Sequence, residues 1–244
     1  MIPRPGLDFA HRGLHGAGRP ENGLAAIRAA HAAGHGAEID LRLSADGVAM
    51  VFHDDRLDRM TGQGGAMDDM DAAALGRLRL DGTGETIPTL AAVLAATTGP
   101  LLIEFKDRSG ALCGTDGRLE RATAAALDGH AGPVAVMSFN PDMVAELGRL
   151  MPARPRGLTT CAFGPDWGLS PAHAARLRGI ADYGRVGACF VSHDRSDLDR
   201  PRLADLRAQG AVVLAWTVRS PAEHRAARRH CDAVTFEGYV PCAS

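Results

Sequence analysis

The sequence contains no apolar stretch of the roughly 18–20 residues that a membrane-spanning helix needs. Its first residues, MIPRPGLDFAHRG, also have no apolar core of the kind that marks a signal peptide, so we expect none. The formal net charge is −2, and no block of basic residues occurs. These absences argue against a membrane span and against charge-driven binding to nucleic acid or an anionic membrane surface.

Cysteines are scattered and odd in number, and no C-x-x-C pair occurs among Cys113, Cys161, Cys189, Cys231 and Cys242. We therefore predict a reduced, cytoplasmic protein. No Cys/His cluster has the spacing of a zinc site. The glycine clusters at 62–65 and 82–84 fit neither G-x-G-x-x-G nor a P-loop. The sequence thus gives no sign of zinc or of a phosphate-binding glycine loop.

Eight short apolar segments alternate with helical segments along the chain, as is typical of parallel strands buried on both faces. These predicted strands are Leu7–Ala10, Ala37–Leu43, Leu101–Lys106, Val134–Ser138, Gly157–Thr160, Ala188–Ser192, Ala211–Val218 and Ala233–Phe236. A further segment, Val48–Phe52, follows the Asp46-Gly47 turn and predicts a hairpin extension. Eight such units in 244 residues predict an α/β fold, a (β/α)₈ TIM barrel, with one domain over residues 1–244.

Glu38 and Asp40 lie two residues apart in the second predicted strand, within the run AEIDLRL. Strand alternation places Glu38, Asp40 and Arg42 on one face. Two ionised carboxylates inside a fold are costly unless a cation or hydrogen-bond donors compensate them. Glu104 and Lys106 repeat the pattern on the third strand. The three carboxylates therefore suit one hard divalent cation, Ca²⁺ or Mg²⁺.

Other polar residues also lie at or near the ends of predicted strands, namely His11-Arg12, Ser138, His193 and Trp216. Barrel active sites are assembled from the C-terminal ends of the strands. Arg12 and Lys106 would add positive charge beside the cation, which suits an oxygen-rich anion such as a phosphate ester. His11 and His53 can then act as an acid–base pair. Residue chemistry alone therefore favours metal-assisted hydrolysis of a phosphoester.

Each of these residues also has a purely structural interpretation. The carboxylates could form an ion-paired rim with the basic residues, and the histidines could be buried packing residues. Glu21 could be a first-turn helix charge, and Asn22 could cap the first helix. The repetition of the carboxylate pattern on two strands favours a metal site over a rim of ordinary ion pairs.

Several short motifs occur in order along the chain: His11-Arg12-Gly13, Pro20-Glu21-Asn22, Glu38-x-Asp40, Asp46-Gly47, His53-Asp54, Leu57-x-Arg59-x-Thr61 and Glu104-x-Lys106. In this order and at these distances they resemble the glycerophosphodiester phosphodiesterase family. The resemblance extends through Thr61, resumes at Glu104, and is weaker afterwards, with Ser138-Phe139 and Trp216-Thr217-Val218 as supporting points.

The resemblance implies a barrel with a short insertion after the second strand. It also implies metal-dependent cleavage of glycerophosphodiesters to glycerol 3-phosphate and an alcohol. Carried over by position, Glu38, Asp40 and Glu104 would hold the metal, His11 and His53 would transfer protons, Arg12 and Lys106 would bind the phosphate, and Glu21 would support the site. Trp216, from its place on the rim, could form a wall of the glycerol pocket.

The chain departs from the family pattern at three places. Gly23 stands where the family usually has Thr, and Thr235-Phe236-Glu237-Gly238 stands where the family usually has Thr-Asp-Xaa-Pro. The segment after His53-Asp54, which usually shapes the alcohol pocket, is short and rich in glycine. None of these departures touches the proposed metal or acid–base groups, so they leave only the alcohol specificity open.

Two other functions compete with hydrolysis of soluble glycerophosphodiesters. A lysophospholipase D-type enzyme would need an exposed apolar patch near the rim, and the sequence shows no loop rich in aromatics. A non-catalytic phosphate-ester binding barrel would have no need of both His11 and His53. We therefore expect a small-molecule glycerophosphodiester as the partner, and the sequence predicts no oligomeric state.

Overall fold

The computed structural model describes residues 3–241. Its strands are β1 (Phe9–Ala10), β2 (Gly36–Leu43), β3 (Ala49–Val51), β4 (Leu101–Phe105), β5 (Val134–Ser138), β6 (Arg156–Thr160), β7 (Phe190–Asp194), β8 (Val212–Val218) and β9 (Ala233–Phe236). Its α-helices are α1 (Leu24–Ala32), α2 (Asp58–Thr61), α3 (Ala72–Leu75), α4 (Leu90–Ala96), α5 (Arg118–Ala126), α6 (Pro141–Leu150), α7 (Pro171–Arg178), α8 (Pro201–Ala208) and α9 (Pro221–Ala227).

Eight of the strands form a closed parallel barrel. Going round it, the order is β1, β2, β4, β5, β6, β7, β8 and β9, and β1 pairs with both β2 and β9. The remaining strand, β3, pairs antiparallel to β2 through Leu41 and Val51. The predicted (β/α)₈ TIM barrel is therefore confirmed, and β3 is the predicted hairpin extension.

The barrel has two apolar layers, one inside the ring of strands and one between the strands and the helices. The inner layer is small and consists of Leu7, Phe9, Leu102, Ala135, Met137, Phe190, Leu214 and Ala233. Gly36 and Gly157 face this layer, and a side chain at either position would collide with the ring of Phe9 or Phe190. The inner layer thus fills the lower part of the barrel and leaves its C-terminal mouth to polar groups.

Several helices begin where their sequence signals predict. Proline occupies the first turn of α6, α7, α8 and α9, where its missing N–H costs no hydrogen bond. Side chains of Thr89, Asn140, Ser170 and Ser220 accept a hydrogen bond from the first turn of the helix that follows each. These caps fix the entry of the helices and so the position of the loops around the mouth.

Of the two roles considered for Asn22, the helix cap is wrong and the role in the site agrees with the structure. The residue before α1 is Gly23, which makes no side-chain cap, and Asn22 has a left-handed backbone with φ of 60°. Its side chain turns away from the helix and bonds to Asp40 instead. The side-chain amide of Asn22 therefore bonds to the buried carboxylate of Asp40 and not to the exposed start of the helix.

Residues 55–87, which follow β3, form the insertion between the second and third barrel strands. The insertion holds α2, α3 and a short 3₁₀ helix at Met67–Asp69. It packs around its own apolar cluster of Met50, Phe52, Leu57, Met60, Met67, Leu75, Leu80 and Ile87. This satellite core explains how a glycine-rich segment lies in a defined place beside the barrel mouth.

Candidate active site

Three carboxylates meet at the mouth of the barrel, and we call Glu38, Asp40 and Glu104 the carboxylate triad. Glu38 and Asp40 lie on β2, and Asp40 is the register neighbour of Glu104 on β4. All three side chains are buried, and one oxygen of each lies within 4.8 Å of the others. The alternation of two adjacent strands therefore brings together the three residues predicted as metal ligands.

Two basic side chains lie against the triad. The ammonium of Lys106 is 2.8 Å from Oδ1 of Asp40 and also pairs with Glu104. Nε of Arg12 is 3.5 Å from Oδ2 of Asp40. Burial on its own would raise the pKa of Asp40, but Lys106, His53 and Arg12 together lower it well below its usual range. Asp40 is thus held as an anion.

The negative charge of Glu38 has fewer compensating contacts than the charges of Asp40 and Glu104. The described polar contact of its carboxylate is with the backbone N–H of Arg12, at 3.0 Å. Burial, together with the charges of Asp40 and Glu104, raises the pKa of Glu38 well above its usual range. A buried carboxylate among two others is what a divalent cation with oxygen ligands would neutralise. The residues present therefore fit a hard divalent metal ion.

Asn22 supports the triad from the side. Its Nδ2 donates to Oδ2 of Asp40 at 2.9 Å, and its Oδ1 accepts the N–H of Asp40 at 3.2 Å. The side chain is buried, so this pair of bonds fixes the orientation of the carboxylate. The sequence motif Pro20-Glu21-Asn22 was the available signal for this role, and the helix-cap interpretation competed with it.

His53 follows β3 at the edge of the mouth and is held by a network of charged side chains. Its Nδ1 is 2.7 Å from Oδ1 of Asp54, and Nε of Arg59 donates to the other oxygen of Asp54 at 2.6 Å. Arg42 donates to the carbonyl oxygen of His53 at 2.7 Å. Burial lowers the pKa of His53 below its ordinary value, which favours the neutral imidazole.

Glu21 links the two ends of the site. Its carboxylate accepts from Nη1 of Arg12 at 2.8 Å and from Nη2 of Arg59 at 2.6 Å. Burial would raise the pKa of Glu21, but the bonds from Arg59 and Arg12 lower it. Glu21 therefore positions Arg12, which touches Asp40, and Arg59, which holds Asp54.

His11 follows β1 on the other side of the triad. Its Nδ1 is 2.6 Å from Oε2 of Glu237, and this bond lowers the pKa of Glu237 to about 2. His15 lies in the same group, with ring and carboxylate ligand atoms of the three residues within 4.8 Å of one another. No role was predicted for Glu237 or His15 from the sequence. A charged residue directly after the last barrel strand was the signal that could have found Glu237.

Aromatic side chains form the opposite side of the mouth. We call Phe139, Phe163, Trp167 and Trp216 the aromatic wall. The ring centroids of Phe139 lie 5.6 Å from Trp216 and 5.1 Å from Trp167, and Phe163 lies 5.2 Å from Trp167. Trp216 is half-buried and donates from its indole N–H to the carbonyl oxygen of Ser192 at 3.1 Å. Trp216 thus belongs to this wall, and its described contacts are not with the charged group.

Two residues predicted near the rim point away from the mouth. Ser138 is the register partner of Phe105 and donates to its carbonyl oxygen at 2.8 Å, in the layer between strands and helices. His193 is fully buried there and bonds to Thr160 at 2.7 Å. Both occupy positions on the outer face of their strands, so strand ends alone do not identify site residues.

Comparison with known proteins gives a family for this arrangement. Residues 11–237 match the model of the glycerophosphoryl diester phosphodiesterase family. The chain belongs to this family. The matched segment begins at His11 and ends at Glu237, so it includes the carboxylate triad, both predicted acid–base histidines and the residue that holds His11. The resemblance read from the short motifs is therefore confirmed.

Named relatives agree with the family. The Bacillus subtilis (strain 168) protein YhdW, an assumed glycerophosphodiester phosphodiesterase, is 30% identical over 224 residues, which cover 87% of this chain and 86% of that protein. Glycerophosphodiester phosphodiesterase 1 of Bos taurus is 41% identical over 112 residues, which cover 42% of this chain and 33% of that protein. The chain thus matches only about a third of the mammalian relative's length.

A solved structure shares the fold over nearly the whole chain. It is an Oleispira antarctica phosphodiesterase in complex with the product sn-glycerol-3-phosphate, with a TM-score of 0.80, 26% identity, and coverage of 95% of this chain and 93% of that chain. The matched family and the two named relatives carry the name of the predicted enzyme class, glycerophosphodiester phosphodiesterase. Within residues 3–241, no helix is both long and apolar enough to span a membrane.

Proposed function

We propose that the protein hydrolyses glycerophosphodiesters to glycerol 3-phosphate and an alcohol, and that it depends on one divalent metal ion. The observation that supports this most is the carboxylate triad, three buried acidic groups within 4.8 Å at the mouth of a barrel of this family. The neighbour from Oleispira antarctica was solved with sn-glycerol-3-phosphate, which is the product that this reaction would release.

Glu38, Asp40 and Glu104 would hold the ion through carboxylate oxygens, which suits Ca²⁺ or Mg²⁺. When bound, such an ion supplies Lewis-acid stabilisation of charge on the phosphoryl oxygens. It would also compensate the buried charge of Glu38, for which the described residues offer one backbone N–H.

Arg12 and Lys106 would bind the phosphate. Both touch Asp40, and both are only 15% exposed, so their charges act in a site from which most water is excluded. Arg12 presents a planar guanidinium that Glu21 orients, which suits two oxygens of one phosphate. These two side chains would place the phosphorus atom beside the triad.

His11 and His53 would carry the protons. One imidazole takes a proton from the attacking nucleophile, either water or a neighbouring substrate hydroxyl, and the other gives a proton to the departing alkoxide. Each is bonded through Nδ1 to a carboxylate, His11 to Glu237 and His53 to Asp54, which leaves Nε2 of each ring for the substrate. This pairing of imidazole with carboxylate fixes the ring tautomer and orientation.

The arrangement disfavours a barrel that only binds phosphate esters. Binding alone needs the basic side chains, whereas two imidazoles on either side of the triad, each oriented by an acid, serve proton transfer. We further propose that residues 1–244 form one domain that acts in the reducing cytoplasm. In support, the four cysteines within residues 3–241 form no disulfide, while Cys242 lies outside the described residues.

Lysophospholipids are a second candidate substrate class because of the aromatic wall. No single loop is rich in aromatics, but folding gathers four aromatic side chains from three segments at the mouth. Trp167 among them is 36% exposed. Such a surface could receive the acyl chain of a lysophospholipid, whose head group would be released by the same chemistry.

Hydrolysis of glycerophosphocholine tests the main proposal. The purified protein is treated with chelator, dialysed, and assayed for glycerol 3-phosphate with Ca²⁺, Mg²⁺ or Mn²⁺ added in turn. We expect turnover to vanish with chelator and to return with at least one of these ions. Turnover that resists the chelator would contradict the metal dependence, and a failure to release glycerol 3-phosphate under any condition would contradict the reaction. Lysophosphatidylcholine assayed in parallel compares the two substrate classes.

A further inference from the structure

A second group of metal-binding side chains lies near the carboxylate triad, and we call His11, His15 and Glu237 the histidine cluster. Each residue offers one ligand atom, and these atoms lie within 4.8 Å of one another. All three residues are partly exposed, so an ion can reach them from the solvent. His15 and Glu237 lie outside the short motifs that carry the family resemblance. The cluster is therefore a feature of this chain that the family pattern does not explain.

Closure of the barrel and one tight turn bring the cluster together. β1 pairs with β9, and the N–H of His11 donates to the carbonyl oxygen of Phe236 at 2.8 Å, which places His11 beside Glu237. The chain then turns at Gly13, where φ is 77° and a side chain would collide with α1. After the turn, the N–H of His15 donates to the carbonyl oxygen of Gly13 at 2.8 Å. The backbone thus holds both imidazoles near one carboxylate.

The contacts of the cluster leave room for an ion. The ring of His15 makes no hydrogen bond and no ion pair with any residue from 3 to 241. Oε2 of Glu237 is 2.6 Å from Nδ1 of His11 and 3.7 Å from Arg219, whose side chain is 54% exposed. A pair with an exposed guanidinium contributes little to stability. An ion would therefore compete with one hydrogen bond and one weak surface pair.

The nitrogen ligands decide which ion the cluster suits. Imidazole binds Zn²⁺ and other late transition metals, whereas carboxylate oxygens such as those of the triad suit Ca²⁺ and Mg²⁺. Two histidines and one glutamate, with water in the fourth position, are a ligand set that proteins use for Zn²⁺. The two neighbouring groups therefore suit different ions.

An ion in the cluster would interfere with proton transfer by His11. On Nε2 it would occupy the atom that is left for the substrate. On Nδ1 it would replace the bond to Glu237 that orients the ring, and it would leave the ring proton on Nε2. In either case the ring could no longer take a proton at Nε2.

We propose that His11, His15 and Glu237 form a second metal site, that this site binds Zn²⁺, and that its occupation inhibits the enzyme. The inhibition rests on the proposed function of His11, whereas the binding does not. No zinc-like spacing marks the site in the sequence, because His11 and Glu237 are 226 residues apart.

Calorimetric titration with Zn²⁺ tests the binding. The protein is treated with chelator, dialysed, and titrated in excess Mg²⁺, which would occupy the triad. We expect one Zn²⁺ site in the native protein. His15→Ala should weaken it by more than about 100-fold, because loss of a ligand costs more than the 10–100-fold typical of a supporting hydrogen bond around a metal. Glu38→Gln should keep the Zn²⁺ site, and His230→Ala, at an exposed position, is the matched control and should bind like the native protein.

Turnover of glycerophosphocholine over a series of Zn²⁺ concentrations, in the same excess of Mg²⁺, tests the inhibition. Saturation of the site should lower turnover about 10²-fold or more, which is the contribution of one acid–base group. In His15→Ala, the Zn²⁺ concentration for half-inhibition should rise by the same factor as the dissociation constant. Turnover of each variant without Zn²⁺ is its own reference. If thermal melting shows that His15→Ala is unfolded, His15→Gln, which keeps a polar side chain, takes its place.

The outcomes separate this inference from the function. The inference is overturned if the native protein has no Zn²⁺ site under these conditions, if a folded His15 variant keeps that site, or if Zn²⁺ binds without inhibition; the phosphodiesterase function then stands. If the diester is not hydrolysed under any condition, the proposed function and the inhibitory role fail together, and the titrations alone decide the metal site. Binding and inhibition that are weakened by equal factors in His15→Ala support the inference.

Discussion

The two sides of the barrel mouth come from different parts of the chain. The charged side, with the carboxylate triad, the basic residues and both histidines, comes from β1, β2, β3 and β4 within residues 11–106. The aromatic wall comes from separate segments within residues 139–216. Charged groups therefore occur as short motifs in the sequence, whereas the aromatic wall exists only once the chain has folded.

The two sides also differ in what holds them. Most of the charged groups have fixed hydrogen-bond or ion-pair partners, as Asp40 does with Lys106, Arg12 and Asn22. The aromatic wall is held by ring packing and by one indole hydrogen bond. Hydrogen-bonded charges tolerate little displacement, whereas apolar contacts adapt more readily. We therefore expect substitutions on the charged side to act on turnover and those on the aromatic wall to act on substrate choice.

The largest effect should come from Glu38→Gln. The change keeps the shape of the side chain and removes one of the three negative charges, so metal binding and turnover should both fall. A loss of more than about 10³-fold in kcat/KM is expected, since a Lewis-acid cation contributes several kcal/mol. Steady-state kinetics and calorimetric titration of Ca²⁺ or Mg²⁺ measure the two quantities.

Glu146→Gln serves as the control for this change, because Glu146 pairs with Arg149 on the outer helix α6. It should leave turnover and metal affinity unaltered. Normal activity in Glu38→Gln would show that the triad does not hold the metal.

His53→Ala should give the next largest effect. Loss of one acid–base group lowers kcat by about 10²-fold or more. Metal affinity should stay close to that of the native protein, because His53 is bonded to Asp54 and not to the triad. His230→Ala, at an exposed position, is the control. An unchanged kcat would remove His53 from the mechanism.

Glu237→Gln should have a smaller effect through His11. The bond of 2.6 Å to Nδ1 of His11 positions the ring, and its charge is lost in the variant. We expect about a tenfold fall in kcat with little change in KM, which corresponds to one charge-assisted hydrogen bond. Glu237→Asp should restore part of the loss. A change in KM alone, with normal kcat, would mean that Glu237 acts on substrate binding instead.

The charged side of the mouth could be predicted from the sequence far better than the aromatic wall. The barrel was predictable because each strand is a local apolar run, and the triad was predictable because alternation on β2 and β4 is a property of neighbouring residues. His11 and Glu237 are 226 residues apart, and only closure of the barrel brings β1 beside β9. No local pattern reports such a contact.

The errors have the same physical origin. The helix cap was one of two roles considered for Asn22 because the helix start is a local signal, but its amide bonds to Asp40, 18 residues further along the chain. His193 does lie at the end of its strand, but its side chain is on the outer face, so position along a strand alone did not show which way it points. The aromatic wall was missed for a similar reason, since no loop on its own is rich in aromatics.

The smallest effect, and the one that tests the aromatic wall, should come from Trp167→Ala. Trp167 packs on Phe139 and Phe163 and is 36% exposed, so the change removes apolar surface at the mouth without touching the charged side. On lysophosphatidylcholine we expect kcat/KM to fall about fivefold, the effect of part of one large apolar contact. On glycerophosphocholine, which has no acyl chain, kcat/KM should stay within about twofold. Equal losses on both substrates would show that the wall serves the common glycerol group, and the lysophospholipid class would lose its structural support.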